Sequence, residues 1–248
     1  MGQLSARSLA GLPEIRAGAD LASLILAAGP PPSGEEIVVV AHKAVSKAEG
    51  RVRELAAIIP SADARELAER YDKDPRHVQA VLDESAELVR AERGILIVRT
   101  RHGLVCANAG VDESNAAAGT LILLPADPDR SARALRARLR ELSGQAPAVL
   151  ITDSFGRAWR HGQLDVAIGL AGMHALDDWR GRSDSRGLEL RATWLAVADA
   201  AAGAADLVRA KDSSEPVVLV EGLERFITEE DGPGAAALLR PAQEDLFL

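Results

Sequence analysis

The sequence predicts an α+β fold with mixed sheets and packed helices, and three observations lead there. Several short β-branched runs are apolar on both faces, as strands inside a sheet require. Between them lie segments with apolar residues at helical spacing. The 248 residues are 47% hydrophobic but only 3% aromatic, so the core is built from Ala, Val, Leu and Ile packed closely. That length suits one domain over 1–248 or two interleaved lobes, with a sizeable core.

In chain order, Asp20 to Ala28 reads as a short helix stopped by the turn Gly29 to Gly34. Ile37 to Ala41 is a buried strand whose end delivers His42-Lys43-Ala44-Val45-Ser46-Lys47. Ser61 to Arg70 and Pro75 to Ala91 read as two amphipathic helices, the second with Pro75 in its first turn. Ile95 to Thr100 and Leu104 to Ala107 form a hairpin across Arg101-His102-Gly103, followed by the polar loop Asn108 to Asn115. Thr120 to Leu124 is a strand, and Asp129 to Leu142 a helix whose Arg133, Arg136, Arg138 and Arg140 form a basic outer surface. Ala148 to Thr152 is a strand leading into Asp153-Ser154-Phe155-Gly156-Arg157, then a glycine-bracketed loop to Gly162. Leu164 to Leu170 is a strand, Arg191 to Arg209 an Ala-rich helix, and Pro216 to Val220 a last core strand.

Composition removes several function classes. A formal charge of −8, from 37 acidic and 29 basic residues, opposes a nucleic-acid partner, and there is no aromatic platform for stacking bases. The longest apolar runs fall short of the ~20 residues of a membrane span. No signal-peptide order is present at the N-terminus, and the single Cys106 forms no internal disulfide, so a cytoplasmic location is expected and Cys106 is expected to pack in a core.

The polar clusters His42 to Arg51, Asn108 to Asn115 and Asp153 to Gly162 each follow an apolar strand, where open sheets place ligands. Asp112 and Asp153 offer hard carboxylate oxygens suited to Mg²⁺ or Mn²⁺, and Ser154 adds a hydroxyl. Spacing leaves open the alternative that Asp112 caps a helix near Glu113 and Asp153 closes a turn. Lys43, Lys47 and Arg51 fall at intervals of four and would share one side of a helix, placed to bind phosphates. Arg157, Arg160 and His161 suit an anionic substrate. No P-loop, dinucleotide fingerprint or nucleophile elbow is present, and neither His161 nor His174 has a partner at metal-ligand spacing.

Taken in order, these pieces resemble one family. They are Gly11-Leu12-Pro13-Glu14-Ile15, the run from His42 to Arg51, Asn108-Ala109-Gly110-Val111-Asp112-Glu113-Ser114-Asn115, Thr152 to Arg157 with Trp159-Arg160 and Gly162, and Asp178-Trp179-Arg180-Gly181. Together they resemble the coenzyme F420-0:L-glutamate ligases, also called F420:gamma-glutamyl ligases, in a single-domain form. The resemblance implies a cytoplasmic, intertwined homodimer of family-specific α+β fold. It also implies an enzyme that uses GTP and two divalent ions, Mg²⁺ or Mn²⁺, to join L-glutamate to coenzyme F420-0 or its dehydro form through an acyl phosphate. By motif match, Asp112 and Asp153 hold one ion and Ser154 contacts the second, while Leu12, Pro13, Glu14, Ile15, Lys47 and Asn115 line the GTP site. His42, Lys43 and Arg157 join this nucleotide and anion set. One stretch departs from the family's frequent Met-Gly-Gln: here it reads Arg209-Ala210-Lys211-Asp212, which opens the second ion's coordination to question. A nucleotide-responsive binding protein without turnover is the alternative that this departure supports.

Overall fold

The computed structural model describes residues 2–210 and 212–245. After the edge strand β1 (Ser5–Ser8), helix α1 (Leu21–Ala28) begins where the Asp20 carboxylate accepts the Ser23 amide N–H at 3.2 Å. That bond satisfies one of the donors a first turn leaves unpaired. Strand β2 (Ile37–Ala41) runs directly into α2 (His42–Ala48). The helix stops before Gly50, which sits at φ 70° in the left-handed region. Arg51 therefore leaves the Lys43–Lys47 side and bonds instead to the Leu124 carbonyl at 2.9 Å and the Glu84 carboxylate at 2.6 Å.

A second lobe follows, made of β3 (Val52–Glu54), α3 (Ala62–Tyr71), α4 (Pro75–Asp83), β4 (Ser85–Glu92), β5 (Ile95–Thr100), β6 (Val105–Ala107) and β7 (Thr120–Ile122). The long helix expected from Pro75 to Ala91 is two elements. It ends at Asp83, and β4 pairs antiparallel with β5 across Arg93 and Gly94, both at positive φ (50° and 78°). Such a reversal matches strand twist, and ladder hydrogen bonds outweigh the helical spacing of Leu88 and Val89. Ile58, Ala64, Val78, Val81, Leu96, Val98 and Leu121 form this lobe's own core.

The chain then returns through α5 (Pro128–Ser143), β8 (Ala148–Arg157), β9 (Arg160–Ala171), β10 (Leu176–Asp178), β11 (Trp194–Ala196), α6 (Val197–Val208) and β12 (Val217–Glu221). The main sheet has the order β1-β12-β2-β8-β9, with only β2 and β8 parallel. Its inner strands β12, β2 and the apolar half of β8 are buried on both sides. Val38, Val40, Val149, Ile151 and Leu219 face the core under α1 and α5, whereas Ile37, Val39, Leu150, Val218 and Val220 face the core under α6. Period-two alternation thus serves two cores at once.

Three further expectations are corrected. The polar run Asp153 to Arg157 stays in β8, and Gly156 to Gly162 is the far end of the β8–β9 hairpin, reversing at Trp159 (φ 60°). Pairing with β9 carries the strand beyond its apolar stretch. Helix α6 begins at Val197, because Trp194 to Ala196 pairs with β10. Arg136 is buried rather than part of a basic outer face. Its guanidinium donates to the carbonyls of Pro147, Glu229 and Thr228 at 3.2, 2.9 and 2.7 Å and to Asp231 at 2.8 Å. A side chain at Gly172 would collide with that group. Among the tail residues, Leu238 and Leu239 pack on their own chain's cores, while Leu246 and Phe247 lie outside the described residues.

Arg136 therefore holds the segment 228–231 against α5. Replacing it with methionine leaves the Pro147, Thr228 and Glu229 carbonyls and Asp231 without this donor, and urea unfolding of Arg136→Met is expected to show a loss of about 1–3 kcal/mol. A change within ~0.5 kcal/mol, the size of an ordinary surface substitution, would contradict the clamp.

Candidate active site

A cleft of about 480 Å³ opens where the parallel pairing of β2 with β8 ends, at Ala41 and Thr152. There β2 gives way to α2, while β8 continues into its polar half. From β2 come His42, Lys43 and Lys47 on α2; from the N-terminal segment come Leu12, Pro13, Glu14 and Ile15; from beyond β6 comes Asn115. Strands β8 and β9 and the end of α6 supply the floor, with Thr152, Asp153, Ser154, Asp165 and Arg209.

Alternation along β8 sorts these groups. Asp153 shares the side of Ile151, and its Oδ1 lies 3.2 Å from His42 Nε2 while accepting the Ser154 amide N–H at 2.8 Å. Its Oδ2 has no hydrogen-bond partner among the described residues, so the carboxylate has an oxygen to offer. Thr152 and Ser154 point to the opposite side, toward β9. There the Ser154 hydroxyl donates to Asp165 Oδ1 at 2.5 Å, and the Thr152 hydroxyl to Asp165 Oδ2 at 3.0 Å. Arg209 completes the group, with Nη1 donating to Asp165 Oδ2 at 2.9 Å. Asp165 is only 2% exposed. Burial pulls the Arg209 guanidinium below its usual range, against the opposing pull of the Asp165 and Asp206 carboxylates.

The lysines on α2 are both engaged. Lys43 Nζ donates to Asp112 Oδ2 at 2.6 Å and to the Ser114 hydroxyl at 2.5 Å, and Lys47 Nζ donates to Glu14 Oε1 at 2.6 Å. Partial burial favours the neutral form of Asp112, but the bonds from Lys43 and Ser114 outweigh it and hold the carboxyl below its ordinary value.

A family model described as F420-0:gamma-glutamyl ligase matches residues 11–222. The chain belongs to that family. It is 46% identical over 236 residues to the coenzyme F420:L-glutamate ligase of Methanopyrus kandleri, covering 94% of this chain and 93% of that one. To the protein of the same name from Methanothermobacter thermautotrophicus it is 43% identical, over 96% of each chain. The Methanocaldococcus jannaschii coenzyme F420:L-glutamate ligase is 41% identical, over 95% of this chain and 94% of its own. The gamma-glutamyl ligase match thus spans all of the cleft walls, from Leu12 to Pro216.

Within the chain, ten of the expected site residues gather in the cleft and two do not. Asp112 stands behind Lys43, outside the cleft wall; it caps no helix, since Ser114 N–H closes a short turn on its Oδ1 at 2.7 Å. Asp153 closes no turn, lying instead within a strand. Arg157 is exposed at the tip of the β8–β9 hairpin, where it donates to the His161 carbonyl at 2.6 Å. His161 and His174 are exposed too, and among the described residues no three His, Cys, Asp or Glu side chains cluster as a ready metal cage. Lys211 lies outside the described residues. Sequence reading missed Asp165 and Arg209. The signal available was a carboxylate inside the apolar run Leu164 to Ala171, which burial would force to find a cation.

For a divalent ion, Asp153 fits as a donor through Oδ2. Asp112 fits only by exchanging its bond to Lys43, since both of its oxygens already accept.

Cys106 is buried near this centre, as expected, and burial together with the Asp153 charge pushes its thiol up to about 12. The thiolate is the reactive form. Labelling by a disulfide reagent at pH 8 is therefore expected to be negligible in the native protein and complete after denaturation; prompt native labelling would contradict the burial.

Proposed function

We propose that this chain is a GTP- and divalent-metal-dependent ligase that joins L-glutamate to coenzyme F420-0, or its dehydro form, in coenzyme F420 biosynthesis. The observation that carries the reading is the coincidence of cleft and family: all of the walls fall inside the matched residues 11–222, and the similar proteins, matched over nearly their whole length, bear the ligase name. Cleft chemistry supports it. Two lysines of α2 line the same cleft as Asp153, whose Oδ2 is available, a combination suited to phosphates accompanied by a hard cation.

In this reading the γ-phosphoryl group of GTP passes to a carboxylate of coenzyme F420-0, releasing GDP. The glutamate amine then attacks the acyl carbon, and phosphate leaves as the amide forms. Leu12 to Ile15 and Asn115 hold the nucleotide; Lys47 and Lys43 neutralise phosphate or carboxylate charge once Glu14 and Asp112 release them. Asp153, with Asp112 after that exchange, holds Mg²⁺ or Mn²⁺. The ion, when bound, supplies charge neutralisation between phosphate oxygens and alignment of the reacting groups. Ser46, through its 3.5 Å contact with His42 Nδ1, helps to orient the imidazole against Asp153.

The reading includes a cytoplasmic homodimer. Trp159, 82% exposed at the hairpin tip, and Leu207, 87% exposed at the end of α6, are apolar surface that a second chain would cover. Arg157, on the same hairpin, would meet substrate only in that assembly. No helix among the described residues is long and apolar enough to cross a membrane.

The test is to incubate the protein with coenzyme F420-0, L-glutamate, GTP and Mn²⁺ and to read the product by mass. A glutamylated product that disappears without GTP or with excess EDTA is expected, and undiminished turnover in EDTA would contradict the metal role. Asp153→Asn keeps size but removes charge, so turnover should fall more than about 100-fold at limiting Mn²⁺, beyond the loss typical of second-layer groups. Thermal stability without metal should stay nearly unchanged, and near-normal activity of the folded variant would remove Asp153 from the site. Light scattering at micromolar concentration is expected to give the mass of two chains; a monomer would count against the dimer.

A further inference from the structure

Resting on the reading above, the family resemblance brings two divalent ions to the site, yet the residues present seat one. The place opened by Ser154 is already occupied by a fixed charge. Ser154 and Asp165 are directly paired across β8 and β9, and the Ser154 hydroxyl is committed to Asp165 Oδ1 at 2.5 Å. The other oxygen, Oδ2, accepts from both Thr152 and Arg209 at 3.0 and 2.9 Å. Both members of the ion pair are buried, with side chains 3% and 8% exposed. Nη1 of Arg209 also donates to the Thr152 hydroxyl at 3.0 Å, which holds the guanidinium at the cleft floor.

Two physical consequences follow. Both oxygens of the Asp165 carboxylate are already engaged by the chain, so even with the Asp206 carboxylate nearby it offers a dication little, and a dication placed at Ser154 would face the Arg209 guanidinium across a water-poor floor, where repulsion is weakly screened. Asp153 is spared this conflict, because strand alternation turns it to the other side, beside His42. We infer that the Arg209 guanidinium stands in for the second divalent ion, so that this protein holds a single ion, at Asp153, together with its nucleotide. Arg209 is then a substituting cation, supplying from the chain the positive charge that the Ser154 side of the site needs. A guanidinium is well suited to that duty, since it stays protonated even when burial disfavours its charge.

The test counts ions without relying on turnover. Equilibrium dialysis of the full chain against Mn²⁺ and a non-hydrolysable GTP analogue is expected to give one bound Mn²⁺ per chain. Arg209→Met frees Asp165 beside the Ser154 hydroxyl, and a second Mn²⁺ is expected to bind, with circular dichroism confirming the fold. Arg209→Met combined with Asp165→Asn removes the released charge and should return the count to one. Two ions in the unaltered protein overturn the inference while leaving metal-dependent ligation intact. A folded Arg209→Met protein that still binds one ion also overturns it. No bound ion in the unaltered protein removes the inference together with the metal-dependent reading beneath it. Should Arg209→Met fail to fold, the count in the unaltered protein decides alone, and Arg209→Lys, which keeps the charge, is expected to match it.

Discussion

Successive side chains on β8 must leave opposite faces of the sheet, and both faces are buried. This constraint organises the molecule. In the apolar half of the strand it lets Val149 and Ile151 serve the core under α1 and α5 while Ala148 and Leu150 serve the core under α6. Past Ile151 the same geometry continues with polar residues. It therefore places Asp153 against His42, and Thr152 with Ser154 against Asp165. Two neighbouring residues of one motif end in different electrostatic surroundings, one with an oxygen to offer and one within a neutralised network.

Arg209 and Asp165 form a pair whose worth lies in position. Burying two charges costs desolvation that their attraction only partly offsets, and an apolar pair of similar volume often serves stability as well. Removing one partner is another matter, because the other charge is left buried and uncompensated, at a cost of about 3–5 kcal/mol. The pair joins the end of α6 to the middle of β9 and to the residues flanking Asp153. The cleft floor is consequently held from several elements at once.

Much of this was legible in the sequence, and what was not has identifiable causes. Ile37–Ala41 reads as a buried strand because it is apolar without a break, and it forms with those bounds. Cys106 reads as a core residue and is one. Pro75 to Ala91 fails because Leu88 and Val89 satisfy a helical pattern by accident, while the hairpin at Arg93–Gly94 depends on pairing with β5, a contact that local periodicity does not encode. The same holds for Asp153 to Arg157, where a polar composition suggests a loop but β9 supplies a partner. At the site, motif order was enough to gather Leu12 to Ile15, His42, Lys43, Lys47, Asn115, Asp153 and Ser154 around one cleft. Asp112 and Arg157 fall outside it, since sequence carries no information about which lysine a carboxylate meets or how far a hairpin projects. The Asp165–Arg209 pair spans two elements and is found only when both are placed.

On the proposed reading the cation site belongs to Asp153, and the Ser154 side carries the chain's own cation, Arg209. Crystals grown with Mn²⁺ and a non-hydrolysable GTP analogue test it through anomalous scattering. One peak is expected, within about 2.1 Å of Asp153 Oδ2, the usual distance for a small hard cation on oxygen, with Arg209 still bonded to Asp165. A peak ligated by the Ser154 hydroxyl or by Asp165, with the guanidinium displaced, would contradict it.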